Sequence, residues 1–354
     1  MSSTVDLLLD NPVSFLADTS RDEDIVISTR VRLARNLAGR RFPLAASEKE
    51  RREVVSKVTA AAVESDVLGG AGTLAFDPEE MTPLDRTILL ERRLASREFL
   101  EHPEGTRLLV RPDESCSVMI NEEDQLRMQA LRGGLQLEAA YREISALDDE
   151  LGERLDFAFD DRLGFLSCCP TNVGTGMRAS VMLHLPGLVL TGQIAPTVQG
   201  INKLYLAVRG ASGEGSDNRG NLFQVSNQAT LGDSEEGIIQ HLGKVIDQLI
   251  SHEKNARKLL LERDRPGMFD LVGRAYGVMK HSWKLSASEA LRCLSALRAG
   301  VDLGLFNHID VALVNELFLA INPGHLQKRA RRELSEEECN IYRAAYCREK
   351  LKNC

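Results

Sequence analysis

The chain has 354 residues, a formal net charge of −8 and 43% hydrophobic residues. This length suits two domains of ordinary size, and the acidic balance disfavours direct nucleic-acid binding, which usually needs a basic face. The sequence shows neither an apolar run of about 18 residues nor a secretory signal peptide. We therefore expect no transmembrane helix and a cytoplasmic location.

The seven cysteines are scattered along the chain and odd in number. No Cys/His cluster has the spacing of zinc ligands, so we predict no metal site built from side chains. Such cysteines are typical of reduced thiols in a cytosolic protein.

The region from about residue 20 to 235 mixes short apolar segments with helical ones. Because strands and helices do not alternate regularly, the pattern favours an α+β fold with an antiparallel sheet flanked by helices. The predicted strands are 24–28, 107–111, 116–120, 163–169, 180–185, 204–209 and 222–226. The predicted helices are 47–67, 83–99 and 125–147, the last one weakened by two glycines in its middle.

From about residue 236 the apolar pattern becomes helical and stays so to the end of the chain. Pro266 is expected to break the first of these helices, whereas Ser286 and Ser335 each precede a glutamate by three residues, which is typical of a capping box. We predict a first domain over residues 1–250 and an all-helical C-terminal domain over residues 251–354.

Four segments carry polar groups that a packed core would exclude. They are residues 28–32 (STRVR), 121–127 (NEEDQLR), 169–178 (CPTNVGTGMR) and 209–216 (RGASGEGS). An alternating strand puts Arg30 and Arg32 on one face, where they repel each other unless an anion lies between them. Taken singly, each segment has a plain alternative: a solvated strand face, an acidic helix start, a turn or a surface loop.

Together these segments supply five arginines and two carboxylates: Arg30, Arg32, Arg127, Arg178, Arg209, Glu123 and Glu214. Arginine forks bind phosphates bidentately, and glycine-rich turns such as 169–178 expose backbone N–H groups to phosphate oxygens. The turn matches neither a Walker A nor a dinucleotide-binding pattern. The set is suited to holding a triphosphate with Mg²⁺ bridging its oxygens, while the 209–216 loop closes as a lid.

These segments resemble the ATP:guanido phosphotransferase family, whose patterns STRVR, NEED-x-L-R, CP-x-N-x-GTG-x-R and RG-x-x-GE all occur here in order. The resemblance implies a guanido-kinase catalytic domain that uses ATP and Mg²⁺, with the metal bound through ATP. It also implies that Glu123 and Glu214 bind the substrate guanidinium, that either of them is the base, and that Cys169 is the reactive cysteine beside it. For Cys169 the alternative is a buried small apolar residue. The nucleotide-binding residues implied are Ser28, Thr29, Arg30, Val31, Arg32, Arg93, Arg127, Arg178, Ala179, Ser180, Val181, Met182, Arg209, Gly210, Ala211, Ser212, Gly213 and Glu214.

Three positions depart from the family pattern. Gln125, Arg93 and Met182 stand where many members have histidines. Each of these residues can pack against a base or act as neutral filler, so we expect nucleotide affinity to change more than activity.

The layout of the chain bears on the substrate. Only 27 residues precede Ser28, where creatine and arginine kinases carry a helical domain, and an all-helical extension follows instead. This layout resembles the bacterial protein-arginine kinases of the family, so we expect arginine side chains of proteins as substrates. The alternatives are a kinase of free arginine or another small guanidino compound, and a non-catalytic adaptor that binds arginine or phosphoarginine.

The same resemblance implies partners and a regulatory site. It implies a homodimer, an activator protein, a heat-shock repressor, the Clp protease system and a role in the stress response. A phosphoarginine-binding pattern, RDxxRA, aligns with residues 339–344, where Arg343 and Ala344 match but Cys339 and Asn340 do not. Loss of one arginine removes a charge-assisted pair worth roughly 1.5–3 kcal/mol, so we expect a weak or absent response to phosphoarginine. The alternative is that Arg343 is a solvated helix residue.

Overall fold

The computed structural model describes residues 4–9, 13–17, 24–210, 220–306 and 309–352. Its strands, in chain order, are β1 (Val26–Arg35), β2 (Leu74–Phe76), β3 (Arg107–Val110), β4 (Cys116–Ile120), β5 (Leu126–Gly133), β6 (Phe159–Asp160), β7 (Gly164–Phe165), β8 (Met177–His184), β9 (Leu206–Gly210) and β10 (Leu222–Asn227). Strands β6 and β7 form a separate two-stranded sheet, and the other strands form one antiparallel sheet in the order β2-β3-β4-β5-β1-β8-β10-β9.

The helices flank this sheet and then continue alone. They are α1 (Thr4–Leu9), α2 (Ser14–Ala17), α3 (Glu48–Val63), α4 (Pro83–Glu91), α5 (Arg97–Glu101), α6 (Leu137–Gly152), α7 (Pro186–Leu190), α8 (Ile194–Asn202), α9 (Glu235–His281), α10 (Ala287–Asp302), α11 (Val311–Ala320), α12 (Pro323–Ala330) and α13 (Glu336–Lys350). Two short 3₁₀ turns lie at Gly70–Gly72 and Pro78–Glu80. The predicted α+β class with a helical C-terminal region is confirmed. No helix in the described part of the chain is long and apolar enough to span a bilayer.

The central strands explain how one sheet can carry both a core and a site. Val31 and Val181 are fully buried in the main apolar core beneath the sheet, which also includes apolar residues of α6 and α9. Because side chains alternate along a strand, their neighbours face the other side. Pairing then aligns strands β5, β1 and β8, so that Arg32 lies opposite both Gln129 and Arg178.

Two predicted elements were wrong in the same region. The first half of the predicted helix 125–147 is strand β5, paired with β4 and β1, and helix α6 begins only after Gly134 turns the chain with φ +57°. The predicted strand 163–169 keeps only Gly164–Phe165, because the Asp124 carboxylate captures the Ser167 hydroxyl and the Cys168 N–H in place of a neighbouring strand.

Helix 83–99 divides into α4 and α5, since Arg93 adopts a positive φ of 62° between them. Strand β2 and helices α7 and α8 were not predicted.

The C-terminal helices follow the predicted signals closely. The break expected at Pro266 lies at Asp264 (φ −147°, ψ 64°), whose carboxylate accepts a 2.9 Å hydrogen bond from the Gly267 N–H and so caps the second half of α9. Ser286 caps α10, and Ser335 forms a complete capping box with Glu338 on α13. The boundary between residues 250 and 251 falls inside α9 and stays a prediction.

Candidate active site

One face of the sheet gathers the arginines that the sequence singled out. Arg30 and Arg32 come from β1, Arg127 from β5 and Arg178 from β8, while Arg209 lies on β9 at the sheet edge. A cavity of about 850 Å³ is lined by all of these except Arg30, together with Glu123 and Cys169. A second cavity of about 310 Å³ continues along the same face and shares Arg32 and Ser96 with the first.

The smaller cavity lies on the part of this face that contains Arg30. Ser28, Arg30, Arg93, Ser180 and Met182 line it, and the prediction that these residues bind a nucleotide stays a prediction. The remaining lining includes Leu90, Ala95, Met119 and Leu131, a surface suited to a flat base. Arg93 donates a 3.1 Å hydrogen bond from Nη1 to the Ser28 hydroxyl, and its guanidinium lies 5.3 Å from the centre of the Phe15 ring.

Burial and like charges together disfavour the charged forms of the arginines on this face. Burial, together with the charges of Arg93 and Arg127, lowers the pKa of Arg30 to about 10. Burial and the charges of Arg30, Arg127 and Arg178 hold the pKa of Arg32 well below its usual value. A guanidinium still stays protonated at neutral pH, so these pKa shifts reflect the cost of burying the two charges, to which the neighbouring cations add. The Arg32 Nε is buried and has no hydrogen-bond partner among the described residues, as expected of a group that awaits an anion.

Glu122 is the acid that offsets part of this repulsion, and sequence reasoning did not assign it. Its side chain is only 3% exposed, and its Oε1 accepts hydrogen bonds from Arg127 Nη1 at 2.5 Å and from the Ser96 hydroxyl at 2.6 Å. Burial alone would raise the pKa of Glu122, but the Arg127 charge and the hydrogen bonds from Ser96 and the Glu123 backbone outweigh it and lower the pKa. The only sequence signal was its place in the run of three acids.

Glu123 lines the larger cavity, and its predicted role in binding a guanidinium stays a prediction. Its side chain is 41% exposed, and Oε2 lies 3.9 Å from Arg127 Nη2, too far for a strong pair. The carboxylate therefore keeps its capacity to bind a cationic ligand. The second predicted carboxylate, Glu214, lies outside the described residues, as do Ala211, Ser212 and Gly213.

Cys169 lies in the same cavity on a loop held by Asp124. The buried Asp124 carboxylate accepts hydrogen bonds from Asn36, from Ser167 and from the Cys168 N–H. This ties the cysteine loop to the acidic loop that carries Glu123. The Cys169 Sγ lies 3.0 Å from the Thr171 hydroxyl, which also accepts a 3.1 Å hydrogen bond from Arg178. Burial and the Asp124 charge raise the pKa of the neighbouring Cys168 to about 12, which keeps that thiol protonated at neutral pH.

The glycines of the 169–178 turn serve packing within the protein. Gly174 has φ +111°, and a Cβ there would lie 2.3 Å from the Thr230 carbonyl oxygen. Gly176 has φ +64°, and a Cβ there would lie 2.6 Å from the Ala34 carbonyl oxygen. These glycines thus let the turn come close to β1 and to the segment before α9. It sets the position of Arg178 at the start of β8.

Several predicted residues lie away from the cavities. Thr29, Val31, Ala179 and Val181 point to the opposite face of the sheet, where the last three are buried in the core and Thr29 donates to the Gly134 carbonyl. Strand alternation requires this, so any contact of these four with a nucleotide must come from their backbones. Gly210 ends strand β9 opposite Phe223.

Gln125 is also separate from the nucleotide end. It is 1% exposed, accepts a 2.6 Å hydrogen bond from the Leu37 N–H and donates a 3.0 Å hydrogen bond to the Arg41 carbonyl. Of the two roles expected for it, packing against a base does not fit, because the side chain already holds residues 37–41.

The expected phosphoarginine residues Arg343 and Ala344 are buried at 2% and 0% exposure. Arg343 donates to the carbonyl oxygens of Ile321 and Leu285, each at 2.9 Å, and to Asn340 Oδ1 at 2.7 Å. The alternative of a solvated helix residue was wrong. Arg343 instead joins α13 to the segments before α10 and after α11.

An antiparallel sheet with clustered arginines beside an exposed carboxylate is typical of a phosphotransferase that acts on a cationic acceptor. Comparisons with known proteins show which kind of phosphotransferase the chain resembles. Residues 53–256 match the model of the ATP:guanido phosphotransferase C-terminal catalytic domain, and residues 265–354 match that of the protein-arginine kinase McsB C-terminal domain. The structure resembles a solved lombricine kinase with a TM-score of 0.58 and 25% identity, covering 70% of each chain.

Among relatives, the protein-arginine kinase of Moorella thermoacetica is 44% identical over 98% of this chain and 99% of its own. That of Syntrophomonas wolfei is 45% identical over 94% of this chain and 93% of its own. The chain belongs to the ATP:guanido phosphotransferase family, whose members are kinases that use ATP.

Proposed function

We propose that this chain transfers the γ-phosphoryl group of ATP to the guanidinium of arginine side chains in proteins. The observation that carries the proposal is the convergence of Arg32, Arg127 and Arg178 with Glu123 and Cys169 around one cavity. The protein-arginine kinases that match nearly the full length of the chain support a protein as the acceptor.

In the part of the site that would bind phosphate, the positive charges of the arginines exceed the negative charge available to neutralise them. Arg30, Arg32, Arg127, Arg178 and Arg209 would hold the triphosphate, and the unpartnered Arg32 Nε fits a phosphate oxygen. Bound ATP supplies the transferable phosphoryl group, and Mg²⁺ bridging its oxygens neutralises part of its charge. Because Glu122 offsets only part of the repulsion between these arginines, this face favours binding of a polyphosphate.

The acceptor end must make a guanidinium into a nucleophile. The group is protonated at neutral pH and its lone pair is delocalised, so it needs a partner that orients it and removes a proton. Glu123 would accept two N–H bonds from the guanidinium and take the proton as the N–P bond forms and the bond to ADP breaks. Glu214 would act as the second carboxylate, and either of the two is a candidate base.

Cys169 lies where a thiolate adds a third negative group beside the guanidinium. We place it as an aid to binding rather than as a requirement, since the two carboxylates provide the proton acceptor.

We also propose, from family likeness, a cytoplasmic homodimer that works in the stress response with an activator protein, a heat-shock repressor and the Clp protease system. We likewise propose that the boundary between the two domains lies after residue 250.

The decisive experiment compares acceptors. Purified protein is incubated with Mg²⁺-ATP and either an unstructured arginine-containing protein or free arginine, and acid-labile phosphate is measured in each. We expect phosphoarginine in the protein. Transfer to free arginine alone would favour a small-molecule kinase, and binding without turnover would favour an adaptor.

A further inference from the structure

An exposed leucine stands at the mouth of the larger cavity. Leu44 is 86% exposed, more than any other large apolar side chain in the described part of the chain. It lines the cavity that also contains Glu123 and Cys169. Single exposed apolar residues are common on protein surfaces, so exposure alone would mean little. Leu44 shares this cavity with Glu123, the carboxylate proposed to bind the guanidinium, and this position suggests a role in substrate binding.

The turn that presents Leu44 is held in place by hydrogen bonds within the turn and by hydrogen bonds of the segment before it. The N–H groups of Ala45 and Ala46 donate to the Phe42 carbonyl at 2.9 and 3.0 Å, which closes the turn. Just before it, the buried Gln125 side chain binds the Leu37 N–H and the Arg41 carbonyl. The turn is therefore fixed to the residue that follows the acidic loop, and Leu44 keeps a defined position relative to Glu123.

The surroundings of Leu44 specify the chemistry of an occupant. Pro43 and Phe99, which line the same cavity, are themselves buried, so Leu44 provides the exposed apolar surface there, while Glu98 and Glu104 line the cavity as well. A cavity of about 850 Å³ is far larger than a guanidinium requires. In an extended polypeptide, side chains two residues apart point to the same side. A side chain two positions from an arginine bound at Glu123 therefore points to the side of the polypeptide that faces this cavity, where Leu44 is exposed.

We propose that Leu44 selects protein segments in which an apolar side chain lies two residues before or after the target arginine. The proposal rests on the proposed function and deepens it by naming the class of sequence that is phosphorylated. Burial of an apolar side chain against Leu44 would strengthen binding of such segments, and free arginine would gain nothing from it.

The test uses full-length protein and unstructured peptides with a single arginine, carrying Leu or Ser two positions before or after it. We expect kcat/KM for at least one leucine peptide to exceed that of the all-serine peptide roughly five- to tenfold. Leu44→Ser should bring this ratio close to one, and Leu44→Met should keep it. Leu190→Ser, which alters an exposed leucine on α7, is the matched control and should keep the ratio.

A ratio near one in the unmodified protein, or a ratio that survives in Leu44→Ser, would overturn the inference while leaving arginine phosphorylation in place. If no peptide is phosphorylated although free arginine is, the proposed function falls and this inference with it.

Discussion

The Arg127 guanidinium is held by the buried Glu122 carboxylate, with Nη1 and Oε1 2.5 Å apart. This pair lies within a cluster of arginines that otherwise repel one another, and it positions one of them before any anion is bound. Glu122 thus has a positioning role, distinct from that of the more exposed Glu123 next to it.

Glu122→Gln should destabilise the protein most when no nucleotide is bound. Removing one partner of a pair leaves Arg127 uncompensated among other cations, and we expect a loss of about 1–2 kcal/mol, with a Tm several degrees lower. Mg²⁺-ATP should raise the Tm of the variant by more degrees than it raises the Tm of the unmodified protein. Thermal unfolding with and without nucleotide measures both effects, with exposed Glu101→Gln as the control. An unchanged Tm without nucleotide would exclude this role.

Glu123→Gln and Glu214→Gln should each reduce phosphoryl transfer about 10²–10³-fold, because each removes a charge that binds the guanidinium in the transition state. Circular dichroism and thermal unfolding should show that both variants stay folded. Near-normal arginine phosphorylation by both would refute the mechanism.

Arg178→Ala should weaken nucleotide binding and turnover together, and Arg209→Ala should do the same. Arg178→Lys should rescue poorly, because a point charge cannot reproduce the planar fork that meets a phosphate. Nucleotide titration by calorimetry measures the affinity, and Arg274→Ala, at an exposed arginine on α9, is the matched control. Wild-type affinity and rate in the variants would remove these residues from the site.

Cys169→Ser should retain activity at a level reduced about tenfold or less, since the thiol assists but the carboxylates accept the proton. Cys168→Ser should behave as the unmodified protein, because Asp124 and burial keep that thiol protonated, with a pKa of about 12. Initial rates of the two variants, measured side by side, test the distinction. A larger loss in Cys168→Ser than in Cys169→Ser would reverse the assignment.

Arg343→Ala should act on stability rather than on ligand binding. The substitution leaves the buried carbonyl oxygens of Ile321 and Leu285 without their donor, at a cost of about 3 kcal/mol. Thermal unfolding should show this loss, and exposed Arg331→Ala should not. Calorimetry with free phosphoarginine on a protein with a blocked active site should detect no micromolar binding. Micromolar affinity that disappears in Arg343→Ala would contradict this view.

The parts of the site that follow local rules could be predicted from the sequence. Alternation along STRVR correctly placed Arg30 and Arg32 on one face, since strand periodicity is a local property. Strand β5 was mistaken for helix because residues 126–133 carry apolar and polar groups compatible with both, and only pairing with β4 and β1 decides.

Contacts between distant segments account for the remaining errors. Gln125 binds residues 37–41, Asp124 captures Ser167, and Arg343 binds Leu285 and Ile321, and each of these contacts arises only when separate segments pack together. A polar side chain read alone gives no sign of which backbone group it will satisfy in the folded chain.

The most direct measurement follows the γ-phosphate from labelled Mg²⁺-ATP into an unstructured protein that contains arginine, with the unmodified chain and Glu123→Gln compared in parallel. Acid treatment distinguishes a phosphoramidate on arginine from an ester on serine or threonine, and mass spectrometry locates the modified residue. We predict acid-labile phosphate on arginine side chains with the unmodified chain and almost none with Glu123→Gln. Acid-stable phosphate, or equal labelling by the two proteins, would contradict this prediction.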